Sequence, residues 1–261
     1  MPPVPLPTVR HLLAVASGKG GVGKTTVTVN LALALSLAGL RVGIFDADVY
    51  GPNVPLMLGI SRQEGSRAHL PIARASREPY IAPLERNGLK LMSFGLVMGE
   101  RDAVLSDPPL IGRLVVQTLR DVIWGDLDVL LLDLPPGSGE PQQTLLRSVR
   151  LDGVLIVTTP QDLSLLDAGR SLDLFRRAGV PVLGVVENMA SLTCPHCGQP
   201  VEVFHRTPRA WAVESDSLEV LGEVPLDVGI SRGPGAGPPP DAFREIATRL
   251  QARLDGASRG S

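Results

Sequence analysis

With 261 residues and 44% hydrophobic composition the chain can bury a large core, while a formal net charge of −2 and only 3% aromatic residues offer neither a basic groove nor stacking rings, so no nucleic-acid partner is expected. No apolar run reaches the roughly 20 residues that span a bilayer. Met1 to Pro7 holds four prolines and no charge ahead of an apolar segment, so a cytoplasmic location without stable membrane association is expected.

In chain order, Leu12 to Ala16, Val42 to Phe45, Val129 to Leu132, Val154 to Val157 and Val182 to Val186 are apolar runs without polar alternation, the pattern of strands buried on both faces. Helices are predicted over Thr25 to Ala38, Pro109 to Trp124, Gln142 to Val149, Leu165 to Ala178 and Pro240 to Leu254, several closed by Gly39, Gly125 or Gly179. This alternation implies right-handed crossovers and an α/β fold, a doubly wound, mostly parallel sheet with helices on both faces, in one domain. Ser61 to Asn87, Cys194 to Pro208 and Arg232 to Pro240 break the rhythm and read as surface excursions.

The first run leads into Ser17-Gly18-Lys19-Gly20-Gly21-Val22-Gly23-Lys24-Thr25-Thr26 and then an apolar helix: strand, phosphate loop, helix. Glycines let successive backbone N–H groups point into one concavity at the positive end of the helix, which binds a polyphosphate. Lys24 is expected to reach the β and γ phosphates, Thr25 to place its hydroxyl on Mg²⁺, and Thr26 to meet the α phosphate. The chain has only three lysines, Lys19, Lys24 and Lys90, and two of them flank this loop, as a compact charge in a tight cradle requires.

Asp46 and Asp48 follow the second strand, at the sheet edge where doubly wound folds collect ligands. Their spacing of two sends them to opposite sides of an extended chain, hence to different roles. Asp133 ends the third run ahead of Leu134-Pro135-Pro136-Gly137-Ser138-Gly139, and a carboxylate there suits Mg²⁺ beside a turn able to swing a backbone N–H toward a γ phosphate. Asn188 follows the last run and offers both a donor and an acceptor, which suits the edge of adenine.

Cys194 and Cys197 bracket Pro195-His196. Two thiolates at this spacing can chelate one soft metal, but zinc or a [4Fe–4S] cluster normally takes four ligands, which two such loops on a dimer axis supply. The same residues also fit an unmetallated or redox pair, a half-site zinc knuckle, or a mononuclear zinc site completed by His196 and His205.

Lys19 makes the loop resemble the deviant Walker A of P-loop ATPases that pair as dimers. Together with Asp46-Ala47-Asp48-Val49-Tyr50-Gly51-Pro52, Asp133 to Gly139, Thr158-Thr159-Pro160-Gln161-Asp162, Glu187-Asn188-Met189 and Cys194-Pro195-His196-Cys197-Gly198, the chain resembles the Mrp/ApbC/Nbp-type iron-sulfur cluster carriers over most of Leu12 to Asp227. That resemblance implies a P-loop NTPase fold and a homodimer that binds and hydrolyses ATP with Mg²⁺. It further implies a [4Fe–4S] cluster bridging the subunits on Cys194 and Cys197, handed from a scaffold to apo iron-sulfur proteins.

By the same resemblance Lys19 acts on the partner's nucleotide, Asp48 orients the attacking water, Asp46 lies near the Mg²⁺ shell, and Asn188 with Pro225-Leu226-Asp227 holds the base. The small N-terminal α/β domain of longer members is not expected, and residues 190–206 form the cysteine-bearing insertion. A division-site or partition-type positioning ATPase is the alternative, for which Phe243, Ile246, Ala247, Leu250 and Leu254 form a candidate membrane-seeking stripe.

Overall fold

The structure, a computed structural model, describes residues 6–61, 81–97, 107–160, 162–194, 196–201, 219–231 and 238–258. The chain runs β1 (Val9–Ser17), α1 (Lys24–Leu37), β2 (Val42–Asp46), a short α2 (Val54–Met57), β3 (Leu84–Arg86), β4 (Leu89–Ser93), a short α3 (Phe94–Val97), α4 (Pro108–Asp121) and β5 (Leu127–Asp133). It continues through α5 (Glu140–Ser148), β6 (Gly153–Thr158), α6 (Asp162–Arg177), β7 (Val182–Thr193), β8 (Pro200–Val201), β9 (Val220–Leu226), a short α7 (Val228–Ser231) and α8 (Asp241–Ser258).

The strands make one sheet in the order β3-β4-β2-β5-β1-β6-β7-β8, with β9 also paired to β7. Pairing is parallel except at β3–β4 and β7–β8. The doubly wound α/β fold expected from the alternation of apolar runs and helices is therefore present.

Helices cover both faces of the sheet. On one face α1 is buried along nearly its whole length, from Val27 to Leu35, because α8 packs against it from outside. Phe243, Ile246, Ala247, Leu250 and Leu254 of α8, the stripe with a possible membrane reading, are all buried in that core. On the other face Ile111, Val115 and Leu119 of α4 and Leu145 of α5 join Phe45, Trp124 and Phe175. The Phe45 ring meets Phe94 and Trp124 edge to face, with centroids 6.2 and 6.3 Å apart. Each such side chain contributes roughly 1.5–3 kcal/mol by leaving water, so packing rather than intrinsic helicity holds these helices.

Parallel register then builds the functional edge. Val15 of β1 pairs with Asp133 of β5, Asp133 with Asp46 of β2, and Asp46 with Ser93 of β4. Four neighbouring strands thus carry one row of residues at their C-terminal ends, and Ser93, Asp46 and Asp133 share a face of the sheet.

Three features differ from the sequence reading. Leu89–Ser93 is a parallel strand with an antiparallel edge partner, where only an excursion ending at Asn87 was expected. Val220–Leu226 is a strand beside β7. The helix predicted to reach Trp124 ends at Asp121, where Val122 turns extended and bridges Ile81, while the Trp124 indole N–H donates to the Leu119 carbonyl at 3.0 Å.

Candidate functional site

The phosphate loop joins the end of β1 to the start of α1. Ser17 Oγ donates to the Lys19 carbonyl at 3.0 Å, and α1 opens on Gly23, whose φ of 82° lies in the left-handed region. A Cβ on Gly23 would stand 2.1 Å from Asn188 Nδ2, so the close approach of the loop to β7 also demands glycine. Asn188 is buried, and its Nδ2 donates to the Val22 carbonyl at 2.8 Å. It occupies an irregular stretch of β7 rather than a strand end: Met189 has φ 56°, and the register with β9 shifts between Asn188 and Leu192.

Three groups converge on Asp133, which is fully buried. Lys24 Nζ lies 2.7 Å from Oδ1, Thr25 Oγ1 donates to Oδ2 at 2.6 Å, and Thr28 Oγ1 donates to Oδ1 at 2.8 Å. Thr28 escaped the sequence reading, although it lies one helical turn after Lys24, on the same face of α1.

Asp46 is equally buried. Its Oδ2 accepts from Ser93 Oγ at 2.8 Å and from the Val54 N–H at 3.3 Å, and its Oδ1 accepts from the Asp48 N–H at 3.3 Å. The carboxylate thereby ties down both ends of the 48–54 loop. Burial, then the charge of Asp133, pushes its pKa up to about 8, against the opposing hydrogen bond from Ser93 and the charge of Lys24. Asp48 is half-buried, its Oδ1 accepts the Gly51 N–H at 3.1 Å, and burial raises its pKa above the ordinary carboxyl value. The two aspartates make different hydrogen bonds in the loop.

Asp46 and Asp133 are two buried carboxylates beside the Lys24 ammonium, and burial is the main cause of the raised Asp46 pKa. The hard oxygens of Thr25, Asp46 and Asp133 are the donors a small divalent cation prefers, so the residues fit Mg²⁺.

The turn after β5 lies against the same loop. The Gly137 N–H donates to the Ser17 carbonyl at 3.0 Å, with Gly137 at φ 86°, and Pro136 is 3.9 Å from the position a Cβ on Gly20 would take. Lys19 is half-buried beside Gly18 in this loop, and Thr26 accepts a hydrogen bond on its carbonyl from Asn30 at 2.9 Å. Asp227 serves α7: its Oδ1 accepts from the N–H groups of Gly229, at 2.6 Å, and Ile230, at 3.3 Å.

Cys194 and Cys197 stand at the far end of a lengthened β7. The hairpin to β8 closes through the Cys194 N–H on the Gln199 carbonyl and the Gly198 N–H on the Cys194 carbonyl, both at 2.9 Å. Cys194 is half-buried and Cys197 exposed. Hydrogen bonds from the Cys197 and His196 N–H groups, then from the Cys197 thiol, lower the pKa of Cys194, which favours the thiolate a metal needs. Among the described residues no group of three or more His, Cys, Asp or Glu side chains is placed to hold a metal ion. Pro195 and residues 202–206 of the expected insertion, His205 with them, lie outside the described residues, as do Gln161 and Ser106.

Comparison with known proteins matches residues 8–252 to the ParA family, described as NUBPL iron-transfer P-loop NTPase. Proteins named iron-sulfur cluster carrier protein are similar: that of Methanocaldococcus jannaschii is 38% identical over 95% of this chain and 86% of its own length. That of Deinococcus radiodurans is 42% identical over 95% of this chain and 69% of its own. The Helicobacter pylori protein is 39% identical over 91% of this chain, which spans only 65% of that relative's length. Among solved structures, a nucleotide-binding protein in complex with ADP from Archaeoglobus fulgidus superposes with a TM-score of 0.71 at 31% identity, over 95% of this chain and 90% of that one. The septum site-determining protein MinD of Pyrococcus horikoshii, at 21% identity and a TM-score of 0.61 over 95% and 98%, shares the fold.

Proposed function

This chain belongs to the ParA family of NUBPL-type iron-transfer P-loop NTPases, and from that premise we propose that it is an ATP-hydrolysing carrier that binds an iron-sulfur cluster between two copies of itself and passes it to apo-proteins. The observation that carries the nucleotide half of the reading is the convergence of Lys24, Thr25 and Thr28 on Asp133 at the mouth of the glycine loop.

In this reading the loop amides from Gly18 to Thr26 cradle the phosphates, and Lys24 neutralises the β and γ groups. Mg²⁺, when bound, supplies charge neutralisation at the phosphate oxygens, with Thr25 and Asp133 as its protein ligands and Asp46 behind them. Asp48 orients the attacking water, Lys19 of the partner subunit steadies the charge that develops on the γ phosphate, and the Gly137 N–H turns from the Ser17 carbonyl toward that phosphate. Asn188 meets the base while bracing the loop. Asp227 contributes to the base pocket through the position it gives α7.

The cargo half rests on the cysteine turn. One chain brings two thiols and a cluster takes four, so two turns across a dimer axis complete the site. Hydrolysis releases the 48–54 loop and the turn after β5, which changes the dimer and the grip on the cluster. The membrane form of the positioning-ATPase alternative loses the stripe that fitted it, since those residues of α8 are part of the core. Among the described residues no helix is long and apolar enough to cross a membrane. The cytoplasm remains the proposed location.

Anaerobic reconstitution followed by iron, sulfide and zinc analysis tests this reading. The expected result is about two irons per chain, in step with four-thiolate ligation of one cluster per dimer, and ATP-dependent transfer to an apo-ferredoxin. Full iron retention by Cys194→Ser would overturn the carrier assignment.

A further inference from the structure

Gln142 is a buried polar residue that neither the sequence reading nor the proposed chemistry employs. It lies in the first turn of α5, immediately after the Leu134–Gly139 turn, with 1% of its surface exposed. Its Nε2 donates to the Pro135 carbonyl, and because a carbonyl only accepts, the orientation of the amide is fixed. Its Oε1, equally buried, has no hydrogen-bond partner among the described residues. A buried amide oxygen left without a donor is costly and rare in a settled interior.

The position explains what that oxygen lacks. Gln142 is the third residue of α5, and a glutamine there ordinarily turns its oxygen back to the N–H of the residue capping the helix, here Gly139. Gln142 instead uses its other end to hold the start of the turn. The neighbouring acid does not compete for the job, since Glu140 Oε1 accepts from Thr144 at 3.2 Å and from Arg147 at 3.4 Å. Donors within the turn are scarce: Pro135 and Pro136 have no N–H, and that of Gly137 is engaged by the Ser17 carbonyl at 3.0 Å. A rearrangement of the Gly137–Gly139 backbone would bring such a donor to the acceptor of Gln142.

We propose that Gln142 is a positioning residue with a hand on each side of this turn: Nε2 fixes the Pro135 carbonyl, and Oε1 receives a backbone N–H from Gly137–Gly139 when the Gly137 amide leaves Ser17. The rearranged turn is then stabilised by a bond absent from the present one, which biases the movement that brings the Gly137 N–H to the terminal phosphate. The inference rests on the proposed nucleotide site, and it adds a residue of α5 to the machinery of the turn.

Steady-state ATP turnover, nucleotide affinity and amide hydrogen exchange of Gln142→Leu and Gln142→Glu test it. Leucine removes both hands. Glutamate keeps an acceptor and loses the donor to Pro135. Loss of one positioned hydrogen bond is expected to lower kcat about tenfold with KM for ATP within about twofold, because the phosphate loop is untouched. Exchange at the Gly137 amide without nucleotide is expected to quicken in Gln142→Glu, which frees the Pro135 carbonyl but keeps the acceptor for the released turn, and to stay slower in Gln142→Leu, which removes that acceptor. Unchanged kcat with only a lower melting midpoint would overturn the proposal, as would equal Gly137 exchange in the two variants. If the wild-type chain binds ATP without turning it over, the hydrolytic reading fails, and the exchange measurement alone decides Gln142.

Discussion

Asp133 ends β5 and Cys194 follows β7 in the same sheet, yet they are held in opposite ways. Asp133 is fully buried, fixed by three side-chain donors and by the register of four strands, so one chain supplies nearly everything around it. Cys194 and Cys197 are carried on a hairpin turn by backbone hydrogen bonds, with the second thiol exposed. A rigid, desolvated site suits a ligand whose charge has to be met in full by one set of groups. A half-buried and an exposed thiol on a turn suit a ligand that is shared and then given up.

Mutations sharpen that contrast. Lys24→Ala is expected to have the largest effect: it leaves Asp133 buried beside Asp46 without its ammonium, costing about 3 kcal/mol in thermal or urea unfolding and abolishing ATP turnover. Retention of wild-type stability would show that the two carboxylates share a proton rather than depend on the lysine.

Gly23→Ala comes next. The left-handed backbone costs about 1–2 kcal/mol for alanine, and the new methyl displaces Asn188 from the Val22 carbonyl, so nucleotide affinity is expected to fall about tenfold or more. Gly21→Ala, at a similar φ of 81° with nothing within 4 Å of its Cβ, is expected to pay only the backbone strain. Adding Asn188→Ala relieves the clash at position 23 and not at 21, a coupling that a double-mutant cycle measures. Equal losses at the two glycines would place the cost in the backbone alone.

The pH dependence of folding probes Asp46. Its folded pKa of about 8 exceeds the ordinary 3.8, so between these values the folded chain keeps a proton that the unfolded chain has released. In Mg²⁺-free buffer, the contribution of Asp46 to stability is therefore fully present below the unfolded pKa and is lost as pH rises through about 8. Asp46→Asn is expected to flatten that slope. A slope of unchanged size in the variant would assign it to other groups.

The smallest effect on the fold belongs to the cysteines. Cys194→Ser and Cys197→Ser are expected to leave unfolding within about 0.5 kcal/mol of wild type and nucleotide binding intact, while bound iron is lost. A large drop in stability would mean that the turn braces the sheet.

Much of the nucleotide edge was legible in the residues. Ser17 to Thr26, Asp46, Asp48 and Asp133 each follow an apolar run, and parallel strands deliver the ends of such runs to one place. Ser93 was not legible, because β4 is a short strand with Lys90 in its second position and its partner β3 has three residues, too little pattern to separate from a loop. Asn188 was noticed, but a bulge places it within a strand and against Val22, 166 residues away, which spacing along the chain does not encode. Thr28 and Gln142 stand among other polar residues of their helices, and only packing tells which of these meets water and which a buried partner.

The sequence by itself determined the five apolar parallel strands and the five long helices between and after them, the phosphate loop and the presence of just two thiols, because these depend on local pattern and composition. Tertiary structure decided the sheet order that sets Asp46 against Asp133, the burial that raises the Asp46 pKa, and the hold of Gln142 on Pro135. Those depend on which strands become neighbours and how much water is excluded between them, and neither quantity is a property of any local stretch of chain.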